Sequence, residues 1–162
     1  MTANPIDYKL IELLQRNARI TQSEMAAAVG LSQPAVAERM RKLEQEGVIT
    51  GYAARVDGRK LGKDITAFIG VGIEHPKHNE RFAKRILEIP DVLECHHVTG
   101  SDSYLLKVVT ENTGTLDRLI SESLRTIPGV TRTHTTIVMS SVKESTHIKP
   151  AGEDEHSARK RR

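Results

Sequence analysis

Residues 21–49, TQSEMAAAVGLSQPAVAERMRKLEQEGVI, read as two helices broken by a glycine. Thr21, followed three residues on by Glu24, is a capping box that satisfies two orphan N–H groups at a helix start. Met25, Ala26 and Val29 give that helix an apolar face, with the small Ala26 where a crossing helix must come close. Gly30 supplies the left-handed conformation that ends a helix. Leu31 plugs the turn, Ser32 caps the next helix, and Pro34 lies in its first turn. Val36, Met40 and Leu43 recur at i, i+4 and i+7, so one face of this second helix is core. Turned away from that face are Pro34, Ala37, Glu38, Arg41 and Lys42, with Gln33 at the flank near the N-terminus. Arg39 falls between the two faces, half a partner for an acidic neighbour and half a phosphate contact. Gly47 closes the element.

Such a pair is built to lay a helix in the major groove of double-stranded DNA. The residues expected to meet DNA are Ser32, Gln33, Pro34, Ala37, Glu38, Arg39, Arg41 and Lys42. Gln33 and Arg41 are expected near base edges, Ser32 and Lys42 near phosphates. An ordinary helical hairpin also shows a solvated charged face. Here the capping box, the small crossing residue, the glycine turn and the Ser-capped basic helix agree. Upstream, Asn4 and Pro5 open a further helix whose buried stripe is Ile6, Leu10, Leu13 and Leu14, ending at Asn17 and Ala18. Residues 1–50 are therefore expected to form a three-helix helix-turn-helix head.

The chain has 162 residues, 38% of them hydrophobic and 28% charged, which is ordinary for a globular protein. No apolar run approaches the roughly 18–20 residues that span a membrane, and no charged-then-apolar leader opens the chain. With the lone Cys95 excluding an intramolecular disulfide, a reducing cytoplasm is the expected location. The net charge of +3 divides unevenly: residues 1–60 hold 9 Lys/Arg against 7 Asp/Glu, residues 61–144 hold 10 against 11, and residues 145–162 hold 5 against 3. A polyanion-binding surface thus belongs at the ends of the chain, and the middle has another task.

Residues 49–56, ITGYAARV, alternate loosely and read as a strand, so 51–63 is expected to be a hinge strand and linker. A single strand has no partner in a three-helix head, which suggests pairing elsewhere, such as on a second subunit. Beyond it lies an internal repeat. Phe82, Ile86, Ile89, Pro90 and Val92 match Ile120, Leu124, Ile127, Pro128 and Val130, each 38 residues later. Each copy is an amphipathic helix ended at Ile-Pro, followed by a strand. With strands at 65–73, 93–98 and 104–110, the order becomes β-α-β-β-α-β. The fold class is α+β, with a ferredoxin-like βαββαβ domain over 64–144 following the helical head. The segments ITAFIGVGI, YLLKVV and TIVM are apolar on both strand faces, so a second copy is expected to cover the face that helices leave open. Gly70 and Gly72 would let another backbone or a ligand approach the first strand. Residues 145–162 read as a largely disordered tail, with Arg159 to Arg162 adding weak phosphate attraction.

Several ordered motifs together resemble the leucine-responsive regulator/AsnC (feast/famine) family. They are IDYKLIELLQRNAR, then S-x-P-A-V-x-x-R-M-x-x-L-E-x-x-G-V-I, GYAARVD, VLECHHVTG, SYLLKV, IPGV and TRTHTTIVM. The resemblance runs from Ile6 to about Glu144. It implies a DNA-binding transcription regulator with a hinge strand and an effector-sensing domain that dimerises, usually with dimers assembling into octamers. Amino acids or related small molecules are the implied effectors. The loop between the second and third strands of the sensing domain, Gly100, Ser101, Asp102, Ser103 and Tyr104, has Ser103 where the family commonly carries Asp. This loop, with Thr133 and Thr135 on the final strand, is the expected effector site. A zwitterion needs donors for its carboxylate and a charged acceptor for its ammonium, which here would be Asp102.

No cofactor or metal is expected. Cys95 and His97 share a strand face that His134 could join, but one thiol and scattered imidazoles lack a ligand spacing. Some proteins of this fold are haem-pathway decarboxylases, which need a roomy apolar pocket with basic groups. This chain has no Trp, two Phe and no arguable nucleophile–base pair, so it is not expected to be an enzyme. An architectural DNA-wrapping protein without any ligand is the remaining alternative.

Overall fold

In the computed structural model, which describes residues 4–150, Asn4 caps α1 (Pro5–Arg16) by accepting from the Ile6 N–H at 3.0 Å. Asp7 answers from the third helical position and completes a capping box. Thr21 and Glu24 open α2 (Gln22–Val29) in the same reciprocal way, the Thr21 N–H donating to the Glu24 carboxylate at 2.7 Å. Gly30, at φ 69°, turns the chain into α3 (Gln33–Gln45), which Ser32 caps. Leu10, Met25, Ala26, Val36, Met40 and Leu43 are buried together, with Ile6, Leu13, Leu14, Val29 and Leu31 packed around them. The apolar stripes read from the sequence are thus the core of the head.

The head unit comprises residues up to Ala54 and those from Lys143 onward. The second segment touches α1 at Gln15, which donates to the Ile148 carbonyl at 3.0 Å and accepts from the Ile148 N–H at 2.7 Å. A side-chain amide can satisfy both polar groups of one extended residue at once. The remainder of the expected tail, including Arg159 to Arg162, lies outside the described residues. The hinge strand is expected to find its ladder partner outside the head, such as on a second subunit. Residues 50–57 form no strand. A strand exists only as part of a hydrogen-bonded ladder, and among the described residues the ladders are those of the four-stranded sheet.

The second unit, Arg55–Val142, is the ferredoxin-like domain. A short 3-10 turn (Gly58–Leu61) precedes β1 (Ile65–Ile73). After it come α4 (Asn79–Leu87), β2 (Val92–His97), β3 (Tyr104–Thr110), α5 (Thr113–Arg118) and β4 (Val130–Ile137). The sheet order is β2-β3-β1-β4, antiparallel throughout. Ala67, Ile69, Val71, Tyr104, Leu106 and Val108 line one sheet face and bury against Phe82 and Ile86 of α4 and Leu116 of α5.

The repeat holds at Ile86 and Leu124, both buried, and slips at Ile120. There α5 continues as a π-helical segment, Leu119–Leu124. Its wider turn places two buried leucines five residues apart, so Leu119 takes the core position expected of the half-buried Ile120.

The opposite sheet face is less apolar than expected. Register places Phe68 beside Lys107 and Thr136, and Gly70 beside Leu105 and His134. On this face β4 presents Arg132, His134 and Thr136, since its threonines at 133 and 135 pair with the helix-facing Val71 and Ile69. Phe68 and Leu105 are large exposed hydrophobics there, at 36% and 38% exposure.

Candidate nucleic-acid interface and effector site

The orientation of α3 follows from its buried stripe. With Val36, Met40 and Leu43 inward, Ser32, Gln33, Pro34, Glu38, Arg41 and Lys42 are exposed on one side of the head, while Ala37 is half-buried. Arg39 is not on that surface. Its Nη1 donates to Asp7 Oδ1 at 2.8 Å, and the Asp7 side chain keeps only 11% of its exposure. This pair pins α3 to the first turn of α1. Pairing with an acidic neighbour is one of its two expected roles. The other cations of α3 also have partners: Arg41 pairs with Glu38 one turn back, and Lys42 Nζ stands 3.7 Å from Glu46. The pairing with Arg41 holds the Glu38 carboxyl below the usual carboxylate range and raises the Arg41 guanidinium.

The loop between β2 and β3 lies against the open face of the sheet at Gly70. Ser103 is anchored: its N–H donates to the Val71 carbonyl at 2.9 Å and its Oγ accepts from the Ile73 N–H at 3.1 Å. A short hydroxyl thus fastens the loop to β1 at the position where a family Asp was expected. The neighbouring Asp102 carries the charge. It lies over Gly70, where an added Cβ would sit 2.3 Å from Asp102 Oδ2, and it accepts from Arg132 Nε at 3.3 Å. Gly72 serves the other half of the pair, since a Cβ there would meet Arg132 Cγ at 2.8 Å. The two glycines in β1 therefore make room for an Asp102–Arg132 ion pair belonging to this same chain.

Arg132 escaped the sequence reading. The available signal was the pair of strand glycines, whose neighbours across a ladder needed identifying. Three expected site residues do not join the ion pair. Thr133 and Thr135 share the helix-facing side of the sheet with Val71 and Ile69, because alternation along β4 sends them away from Arg132. Tyr104 is buried on that same side, its ring 4.7 Å from Phe82. Gly100 and Ser101 are exposed in the loop, with Gly100 at φ 122°.

The Cys95, His97 and His134 trio does not converge either. Cys95 pairs with the helix-facing Leu106 and His97 with Tyr104, whereas His134 pairs with Gly70 and faces the other way. No three His, Cys, Asp or Glu among the described residues are grouped to hold a metal ion. No helix among them is long and apolar enough to cross a membrane.

A helix-turn-helix head followed by a four-stranded antiparallel domain with both helices on one face defines a two-domain DNA-binding regulator. Comparison with known proteins specifies it further. Residues 4–50 match the winged helix-turn-helix DNA-binding model, and residues 66–148 match the Lrp/AsnC ligand binding domain. The leucine-responsive regulatory protein of Escherichia coli is 33% identical over 145 residues, 88% of each chain. The HTH-type transcriptional regulator YezC of Bacillus subtilis is 47% identical over 118 residues, 73% of this chain and 83% of that one. The solved structure of a Neisseria meningitidis transcriptional regulator in complex with L-Met matches with a TM-score of 0.87 at 28% identity, covering 93% of this chain and 98% of that one. The chain belongs to the Lrp/AsnC family of transcriptional regulators. It is accordingly a helix-turn-helix regulator with a ligand-binding domain, and not an enzyme.

Proposed function

We propose that this regulator senses an amino acid at the Asp102–Arg132 pair and reads double-stranded DNA with the outer face of α3. The observation that carries the effector assignment is the ion pair seated over Gly70 and Gly72. An amino acid offers a carboxylate for the Arg132 guanidinium and an ammonium for the Asp102 carboxylate, each a charge-assisted hydrogen bond. Gly100 and Ser101 lie beside the pair in sequence and supply backbone N–H groups. The L-Met held by the Neisseria neighbour supports the same ligand class. Ser32, Gln33, Pro34, Ala37, Glu38, Arg41 and Lys42 form the DNA-facing surface.

Assembly completes the reading. Phe68 and Leu105 on the open sheet face, and the exposed Tyr52 and Val56 of the linker, are covered by a second copy. The result is a dimer, with octamers as the family resemblance implies. A ligand at the ion pair biases this assembly, and with it the placement of the heads on DNA. A regulator of this kind, with an unpaired Cys95, works in the cytoplasm.

The test is calorimetry of the full chain with each L-amino acid, for wild type, Asp102→Asn and Arg132→Gln. Losing a charge-assisted hydrogen bond costs roughly 1.5–3 kcal/mol, so each variant should bind about ten- to a hundredfold more weakly. Unchanged affinity in both variants refutes the site. Tight DNA binding with no response to any amino acid favours the ligand-independent architectural protein.

A further inference from the structure

The outer face of α3 is an unusual surface to present to a polyanion. Residues 33–45 carry three cations, Arg39, Arg41 and Lys42, against two carboxylates, Glu38 and Glu44. Every one of those cations faces a carboxylate before DNA arrives: Arg39 faces Asp7, Lys42 faces Glu46, and Arg41 faces Glu38. The last pair is a fork. Arg41 Nε donates to Glu38 Oε2 at 3.0 Å while Nη2 donates to Oε1. Both side chains are more than half exposed, so the pair stands in the open on the surface that would enter the groove.

The way the fork is used decides what Arg41 can still do. A guanidinium has three edges, and Glu38 takes the one formed by Nε and Nη2. The end edge, with parallel N–H groups on Nη1 and Nη2, stays free. That edge fits guanine O6 and N7, the commonest specific base contact in the major groove. An untethered arginine would instead settle on any nearby phosphate, a contact that carries no sequence information. The Glu38 carboxylate also repels the phosphate backbone wherever Arg41 has no base to hold.

We infer that Glu38 is a specificity-determining, positioning residue. It holds Arg41 as a guanine reader and weakens binding to DNA that lacks the guanine. The inference rests on the DNA-facing reading of α3 given above.

The experiment uses the full chain as wild type, Glu38→Gln, Glu38→Ala and Arg41→Ala. Duplexes with a randomised centre are selected with wild type. Binding is then followed by anisotropy, over a salt series, on the selected duplex, a scrambled duplex of equal composition, and selected duplexes with 7-deazaguanine at each guanine. For wild type, one 7-deaza substitution should cost roughly five- to a hundredfold. Both Glu38 variants should lose most of that penalty. They should bind the scrambled duplex several-fold more tightly, with a salt slope steeper by about 0.9, the value for one additional phosphate contact. The inference is overturned if the Glu38 variants keep both the wild-type ratio of selected to scrambled affinity and its salt slope. It is equally overturned if wild type tolerates 7-deazaguanine everywhere. If Arg41→Ala loses selectivity while Glu38→Gln keeps it, α3 still faces DNA and only the role of Glu38 falls. If wild type selects no sequence and Arg41→Ala changes nothing, the DNA-facing reading fails and takes this inference with it.

Discussion

Gly70→Ala separates the architecture of the sensing sheet from the chemistry laid over it. The new Cβ would stand 2.3 Å from Asp102 Oδ2 and 2.8 Å from its Cγ, so the carboxylate must move. What moves is the end of a side chain, and no backbone atom is crowded. Two terms set the stability change. Replacing glycine by alanine inside a strand gains about 0.5–1 kcal/mol of backbone entropy. Displacing Asp102 from Arg132 loses a partly exposed pair, 25% and 55% accessible, worth about 0–1 kcal/mol. The two nearly cancel, and urea melts of variant and wild type should agree within about 1 kcal/mol. Amino-acid affinity should not be spared, because the carboxylate no longer sits where an ammonium would meet it. The expected loss is about tenfold or more, one charge-assisted hydrogen bond. Calorimetry beside the melt reads both quantities, with light scattering to show that assembly is unchanged. Wild-type amino-acid affinity in a folded Gly70→Ala protein would refute the reasoning.

Arg39→Ala should destabilise the head by about 1–3 kcal/mol, below the 3–5 typical of fully buried pairs because Arg39 retains 32% exposure. Guanidinium chloride melts would show it, and Asp7→Leu/Arg39→Met should recover most of the loss. Ser103→Ala leaves the Ile73 N–H without its 3.1 Å acceptor and should cost the sensing domain about 1–2 kcal/mol in a urea melt. The capping box of α2 should be acid-sensitive. Hydrogen bonds from the Thr21 backbone and hydroxyl hold the Glu24 carboxyl below its ordinary value of 4.5. The stabilisation is therefore complete above that value and is lost as pH falls through the lowered one. Helical circular dichroism between pH 6 and pH 2 should show this fraying step in wild type and lose it in Glu24→Gln.

Elements whose signals are local were legible in the sequence. The caps at Asn4, Thr21 and Ser32 and the stripe Val36, Met40, Leu43 need only neighbours within a turn. The four strands emerged from apolar runs and a matched repeat, and β1 and β3 begin and end where the pattern placed them. What the sequence leaves open depends on contacts distant along the chain. Whether 49–56 forms a strand depends on a ladder partner outside the head. Whether the end of the chain is held depended on Gln15, 133 residues from Ile148. Thr133 and Thr135 read as polar groups near the loop. Their face is set by register against β1, and register put Arg132 on the loop's side instead. The π-helical segment left no mark beyond Leu119 standing beside Ile120.

If the Asp102–Arg132 pair is the effector site proposed above, it has a bearing on how much ligand is needed. A site whose charges are unmet in the empty state would gain the full worth of both new contacts. Here the two groups already satisfy each other, so an arriving zwitterion must first separate them, and only the difference remains as affinity. The pair is an internal competitor carried at fixed, high local concentration. In the proposed site it would raise the ligand concentration needed, because the groups it occupies are the ones that would recognise the ligand. At such a site, substitutions that keep both charged groups in place and change only how tightly they hold each other would shift the set point, whereas Gly70→Ala moves the carboxylate itself and would lose affinity.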